Sequence, residues 1–213
     1  MLAVGDPVGI GAVRSLSRPD GNVTGVSFIS SELAGKRVQL MKEISPAVKR
    51  IAVLWDARNE NARFESKATL AAATKLGLKA ESIAVANDVE LTRAFDRIQA
   101  SKADALYVAF EGGLVANNRT SIAEFGLRRR FPVVSGWSFL TEAGGLLSYG
   151  ADIPAMFHRA AYYVHRIVKG AKPAELPIEQ PTRFELVINM KTAKALGITI
   201  PQSIRLRADK VIE

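Results

Sequence analysis

The polar residues best placed to do chemistry stand directly after short apolar runs. Gly5, Asp6 and Pro7 follow the first such run, and the loop from Asp56 through Ala57, Arg58, Asn59 and Glu60 to Asn61 follows RIAVLW. Glu111 follows ALYVAF and precedes two glycines, Trp137 follows FPVVSG, and Tyr149 follows GGLLS. In open α/β sheets, small molecules bind beyond the carboxyl ends of the strands, so these loops hold the candidate site: Asp6, Asp56, Asn59, Asn61, Glu111, Trp137 and Tyr149. The carboxylates of Asp6 and Glu111 suit an ammonium group through a charge-assisted hydrogen bond. Asp6 equally suits a turn or a helix N-cap, and Glu111 a solvated loop. Asn59 and Asn61 precede a helical pattern whose free N–H groups favour an anion, so either binds a carboxylate or caps the helix. Trp137 offers an aromatic wall or a core side chain. Tyr149 offers a hydroxyl to a cleft or to a backbone carbonyl.

Several chemistries are excluded. There is no cysteine, hence no thiolate nucleophile and no disulfide framework. His158 and His165 share a helical face but lack the carboxylates that a metal site would add, and no metal or cofactor is expected. GDPVGIG lacks the lysine of a phosphate loop and the spacing of a dinucleotide fingerprint. No nucleophile elbow or HExxH occurs, so no residue is assigned a catalytic role. The net charge is +8, from 29 basic and 21 acidic residues, without an evident basic face. Its densest run, Arg128 to Arg130, closes a helical pattern where cations suit the negative end of the dipole. Nucleic acid is therefore not an expected partner. Residues 1–9 show no signal-peptide pattern, and no apolar run reaches the roughly 18 residues of a membrane-crossing helix.

The elements that must position these loops alternate. Apolar runs at 50–55, 80–86, 105–110, 131–135 and 145–148 read as buried strands, separated by helical patterns at 61–76, 89–101 and 118–130. Gly77 reads as the αL residue that ends the first helix, and Asn87 and Asp88 introduce the second. This alternation is that of a parallel sheet covered by helices, so the class is α/β. Residues 3–8 and 23–28 read as two further strands with a short helix between, followed by a helix at 31–44. Past the strands come a helix at 153–169, a proline-punctuated connection at 172–181, a strand at 184–189 and a helix at 190–196 closed by Gly197. Two lobes are expected: a complete one over 45–152, and a partial one built from 1–44 and 153–213 together with the hinge segments.

The blocks AVGDPVGIGAVRSLSRPDGNVTGVS, AGKRVQLMKEISPAVKRIAVLWD, TEAGGLLSYGADI and QPTRFELVINMKTAKALGITIP resemble the tryptophan/tyrosine-type ABC transporter substrate-binding proteins. The similarity runs in consistent order along the whole chain. The resemblance implies a type I periplasmic-binding fold, with two Rossmann-like lobes, a hinge of three crossings and a small ligand enclosed between. It implies capture of an amino-acid-like metabolite, a permease and an ATPase subunit as partners, and a periplasmic or cell-surface location. Relatives place small polar and asparagine residues where Asp56, Asn59 and Asn61 stand, and acidic or hydroxyl residues where Glu111 stands. They also begin earlier, so an incomplete, truncated N-lobe is expected, whose open sheet edge would favour dimerisation. The alternatives are a Rossmann-like small-molecule enzyme and the effector-binding domain of a transcription regulator.

Overall fold

A computed structural model describes residues 3–109 and 112–213. Its elements are β1 (Ala3–Val4), β2 (Val26–Ser27), α1 (Ser30–Ile44), β3 (Arg50–Asp56), α2 (Glu60–Lys75), β4 (Lys79–Val85), α3 (Asp88–Ala100) and β5 (Ala105–Val108). Then follow α4 (Gly113–Asn117), α5 (Arg119–Arg129), β6 (Val133–Ser135), α6 (Ser138–Glu142), β7 (Leu147–Ala151) and α7 (Ile153–Val168). The last are β8 (Phe184–Asn189), α8 (Met190–Leu196), α9 (Gln202–Arg205) and β9 (Lys210–Ile212).

Seven strands form one sheet in the order β4-β3-β5-β6-β7-β8-β9, parallel throughout except where β8 runs against β7. Side-chain alternation along β3 sends Ile51 and Val53 to one face and Ala52 and Leu54 to the other. The first face is covered by α1 through Val38, Leu40, Met41 and Ile44, and by Ala193 of α8 and Ile204 of α9. Leu91 and Ile98 of α3, Ile122 and Phe125 of α5, and Leu140 of α6 cover the second. This is the three-layer α/β arrangement expected of the strand and helix alternation.

The second sheet pairs β1 with β2 in parallel, and Val26 bridges to Glu179. Helix α7 packs on both strands. Between 7 and 23 the chain makes turns, not the short helix expected, because Pro7, Gly9 and Gly11 interrupt any helical run. Two segments group differently from expectation. Helix α1 packs on α2 and β7, and β8 hydrogen-bonds along the whole of β7, so 30–44 and 184–213 belong with the seven-stranded sheet. The reason is pairing: β7 has an open edge that an antiparallel strand satisfies, a relation invisible to periodicity. The chain therefore passes between the two sheets after β2, after β7 and before β8.

A buried polar network ties two of these passages. Arg37 is fully buried on α1. Its Nη1 donates to Glu65 Oε1 at 2.7 Å and to the Ser30 carbonyl at 3.1 Å, and its Nε donates to the Tyr149 carbonyl at 2.6 Å. The Tyr107 hydroxyl donates to the same Glu65 oxygen at 2.7 Å. Burial, only partly opposed by the neighbouring Arg37 charge, pushes the Tyr107 hydroxyl well above its usual range, so it stays a donor. Gly136 and Gly150 leave the space the guanidinium fills: a Cβ on Gly136 would lie 2.8 Å from Arg37 Nη2.

Candidate functional site

The seven-stranded sheet ends at Asp56, Val85 and Val108 on one side, and the loops beyond them form an open groove. Asn59 stands in extended conformation as the cap of α2, where its side chain accepts from the Asn61 and Ala62 N–H groups. Asn61 then reaches the smaller sheet, because its Oδ1 accepts from the Asp6 N–H at 2.8 Å. Asp6 in turn accepts from the Gly9 N–H at 2.8 Å, folding 6–10 into a turn. The strand-end loop and the first turn of the chain are thus fastened by one hydrogen bond.

A groove of about 560 Å3 lies there, lined by Ile10, Asp56, Arg58, Asn59, Asn61 and Gly113 among others. Beside it, about 500 Å3 of groove is lined by Arg58, Asn87, Asp88, Gly113, Asn117 and Asn118, with Arg58 and Gly113 common to both. Asp6 also borders a smaller hollow of about 200 Å3 with Ser27, Ser31 and Gln180. A fourth cavity, about 280 Å3 between α7 and the 179–183 segment, holds an Arg159–Glu179 pair whose two hydrogen bonds measure 2.6 Å each. Those bonds hold the Glu179 carboxyl below the usual range despite partial burial.

Asp56 is buried and accepts from Arg58 three times, from its N–H at 3.0 Å, Nε at 3.1 Å and Nη2 at 3.0 Å. Burial alone would raise this carboxyl. The Arg58 hydrogen bonds and charge, with a further bond from the Leu114 N–H, outweigh it and hold the group below the ordinary value of 3.8. The arrangement can bind a small zwitterion or polar molecule: hydrogen-bonding donors and acceptors converge on a strand-end crevice of suitable volume.

Of the sequence candidates, Asp56, Asn59 and Asn61 line this groove, and Asp6 is tied to it through its N–H bond to Asn61 while bordering the smaller hollow. Trp137 sits apart, edge to face with Phe28 at 5.5 Å and Phe139 at 5.3 Å, where Val26, Phe28, Ala151 and Met156 join the two sheets. Tyr149 turns its ring toward Phe184 and the core of the large sheet. Glu111 lies outside the described residues. Sequence reasoning passed over Arg58, Gly113 and Asn118. Arg58 was visible in the loop between Asp56 and Asn59, but nothing in its spacing told that Asp56 would hold it in place. His158 and His165 are exposed on α7, and no cluster of three metal-ligating side chains occurs among the described residues.

A family model described as ABC transporter substrate binding protein matches residues 1–212. A curated tyrosine-binding protein of Clostridioides difficile (strain R20291) is 25% identical over 212 residues, which is 99% of this chain and 59% of that protein. The chain thus spans less than two thirds of that relative's length. The crystal structure of an ABC domain in complex with L-Trp from Streptococcus pneumoniae is 32% identical, with a TM-score of 0.91, over 100% of this chain and 72% of that one. A conserved domain protein from Vibrio cholerae is also 32% identical at a TM-score of 0.91, over 99% of this chain and 70% of that one.

Proposed function

Because the chain belongs to the ABC transporter substrate-binding protein family, with the type I periplasmic-binding fold, we propose that it captures a small amino-acid-like ligand. The ligand lies in the strand-end groove between the smaller sheet and the larger one. The observation that carries this reading is the meeting of two loops at one groove: Ile10 of the first turn lines it together with Asp56, Asn59 and Asn61 of the strand-end loop, and the Asp6 N–H fastens the two through Asn61. The L-Trp complex of one relative and the tyrosine-binding description of another support an aromatic amino acid. In this reading the cleft residues bind and do no chemistry. Asp6 and Glu111 serve the ammonium group and Asn59 and Asn61 the polar frame, while Trp137 packs at the joint between the sheets, outside the groove. Tyr149 acts through its backbone on the hinge. The three passages between the sheets form that hinge, about which the two lobes close on the ligand and present a joint surface to a permease and its ATPase at the periplasmic or outer face of the membrane.

Titration calorimetry with L-tryptophan, L-tyrosine and a panel of non-aromatic amino acids tests it. Saturable binding of at least one amino acid is expected, with Asp6→Ala and Glu111→Ala each weakening it by roughly 1.5–3 kcal/mol. Absence of binding across the panel would overturn the amino-acid assignment.

A further inference from the structure

Among the described residues, Arg58 is the one cationic side chain lining both parts of the strand-end groove. A guanidinium carries five N–H donors in a rigid fork. Two of them, on Nε and Nη2, are taken by Asp56. The other three, one on Nη2 and two on Nη1, meet no acceptor among the described residues, so the Nη1–Nη2 end of the fork is free, and the side chain is 59% exposed. Nearby acids do not compete for that end by contact. Glu60 accepts from Arg63 Nε at 2.8 Å, and Asp88 accepts from Asn118 Nδ2 at 2.8 Å.

Asp56 is a poor direct receptor for the same reasons that Arg58 is a good one. Its carboxylate is buried and saturated by the Arg58 backbone, the Arg58 side chain and the Leu114 N–H. One oxygen accepts both the backbone N–H and Nε of Arg58, which fixes the side chain against its own loop. A long arginine normally loses rotamer freedom when it binds; one already held by a buried carboxylate loses less. The free end is then presented as a planar, bidentate fork, the geometry that matches a carboxylate.

We propose that Arg58 receives the α-carboxylate of the ligand through its free end, with Asp56 as the positioning residue that aims it. This rests on the amino-acid reading above and adds which side chain reads the acid group. Asn59, whose side chain is spent on the start of α2, shapes the loop and does not touch the ligand carboxylate.

Calorimetry with matched pairs tests the assignment: L-tryptophan against tryptamine and L-tyrosine against tyramine, which differ only by the carboxylate. The wild-type protein is expected to bind the amino acid at least about ten-fold more tightly than its amine. Arg58→Gln should bring the two within about two-fold, and Arg58→Lys should recover only part of the ratio, since a point charge lacks the fork. Asp56→Asn should lower the ratio with Arg58 still in place. Arg58→Gln and Arg58→Lys proteins that melt like the wild type and keep its full ratio would overturn the proposal while leaving the amino-acid reading intact. A wild-type protein that binds neither amino acid would overturn both.

Discussion

At Asp56, burial and hydrogen bonding act in opposite directions, and hydrogen bonding wins. A carboxyl held below 3.8 in the folded chain stabilises the fold above its unfolded value and loses that contribution as pH falls through the lowered folded value. Asp56→Asn should therefore cost about 1–2 kcal/mol at neutral pH, toward the low end for a charged hydrogen bond because Arg58 lies open to solvent. Melting curves should show the gap between the two proteins narrowing below about pH 4. A gap that stays constant down to about pH 3 would mean the carboxylate contributes through shape and not charge. The loop DARNEN was legible as polar and strand-terminal. Its division of labour, with Asp56 holding Arg58 and Asn59 capping α2, was not, because it depends on which side chains fold back on their own loop.

On the scale of elements, the Arg37–Glu65–Tyr107 network is a fully buried polar contact. It joins α1, α2 and β5 to the backbone of β7, next to two of the passages between the sheets. Replacing Arg37 by Met leaves Glu65 buried without its cation and should cost about 3–5 kcal/mol in urea unfolding, part of it regained by adding Glu65→Leu. Gly150→Ala tests the space around it, since the new Cβ would fall 1.9 Å from the Gly136 carbonyl oxygen. A loss of about 1–3 kcal/mol is expected, measured in the same way. None of this was visible in the sequence. A lone arginine in the helical run AGKRVQLMKE carries no mark of burial, and arginine is rarely buried. The elements themselves were more legible: α2 and α3 begin and end within a residue of the expected bounds, since Asn59 and Asn87 cap them and Gly77 turns left-handed at φ 72°. Strand β7 was expected at 145–148 and runs Leu147–Ala151, because its partner β8 extends it toward the second sheet.

For the whole molecule, binding should appear as stability. An amino acid at a hundred-fold excess over its Kd adds about 2.7 kcal/mol, which for a chain of this size raises Tm by roughly 5–10 °C. A second expectation concerns α7. Its inner side packs Met156, Ala160 and Tyr163 against the smaller sheet, while Phe157, Val164 and Val168 on its outer side remain 53%, 51% and 79% exposed. Such a stripe favours association, so Phe157→Glu combined with Val164→Glu should lower concentration-dependent self-association in sedimentation velocity. An unchanged distribution would show that this face carries none.

The sequence by itself determined the class and most of the layers, because apolar alternation and helix caps are local and each strand's burial is written into its own residues. It also held the family resemblance, since the blocks that carry it are contiguous. Only the tertiary structure decided that β8 closes on β7, that α1 covers the large sheet, and that Trp137 and Tyr149 leave the groove for the joint and the core. These are relations between residues far apart in the chain, set by strand pairing and by the desolvation of buried polar groups, and no local pattern encodes them.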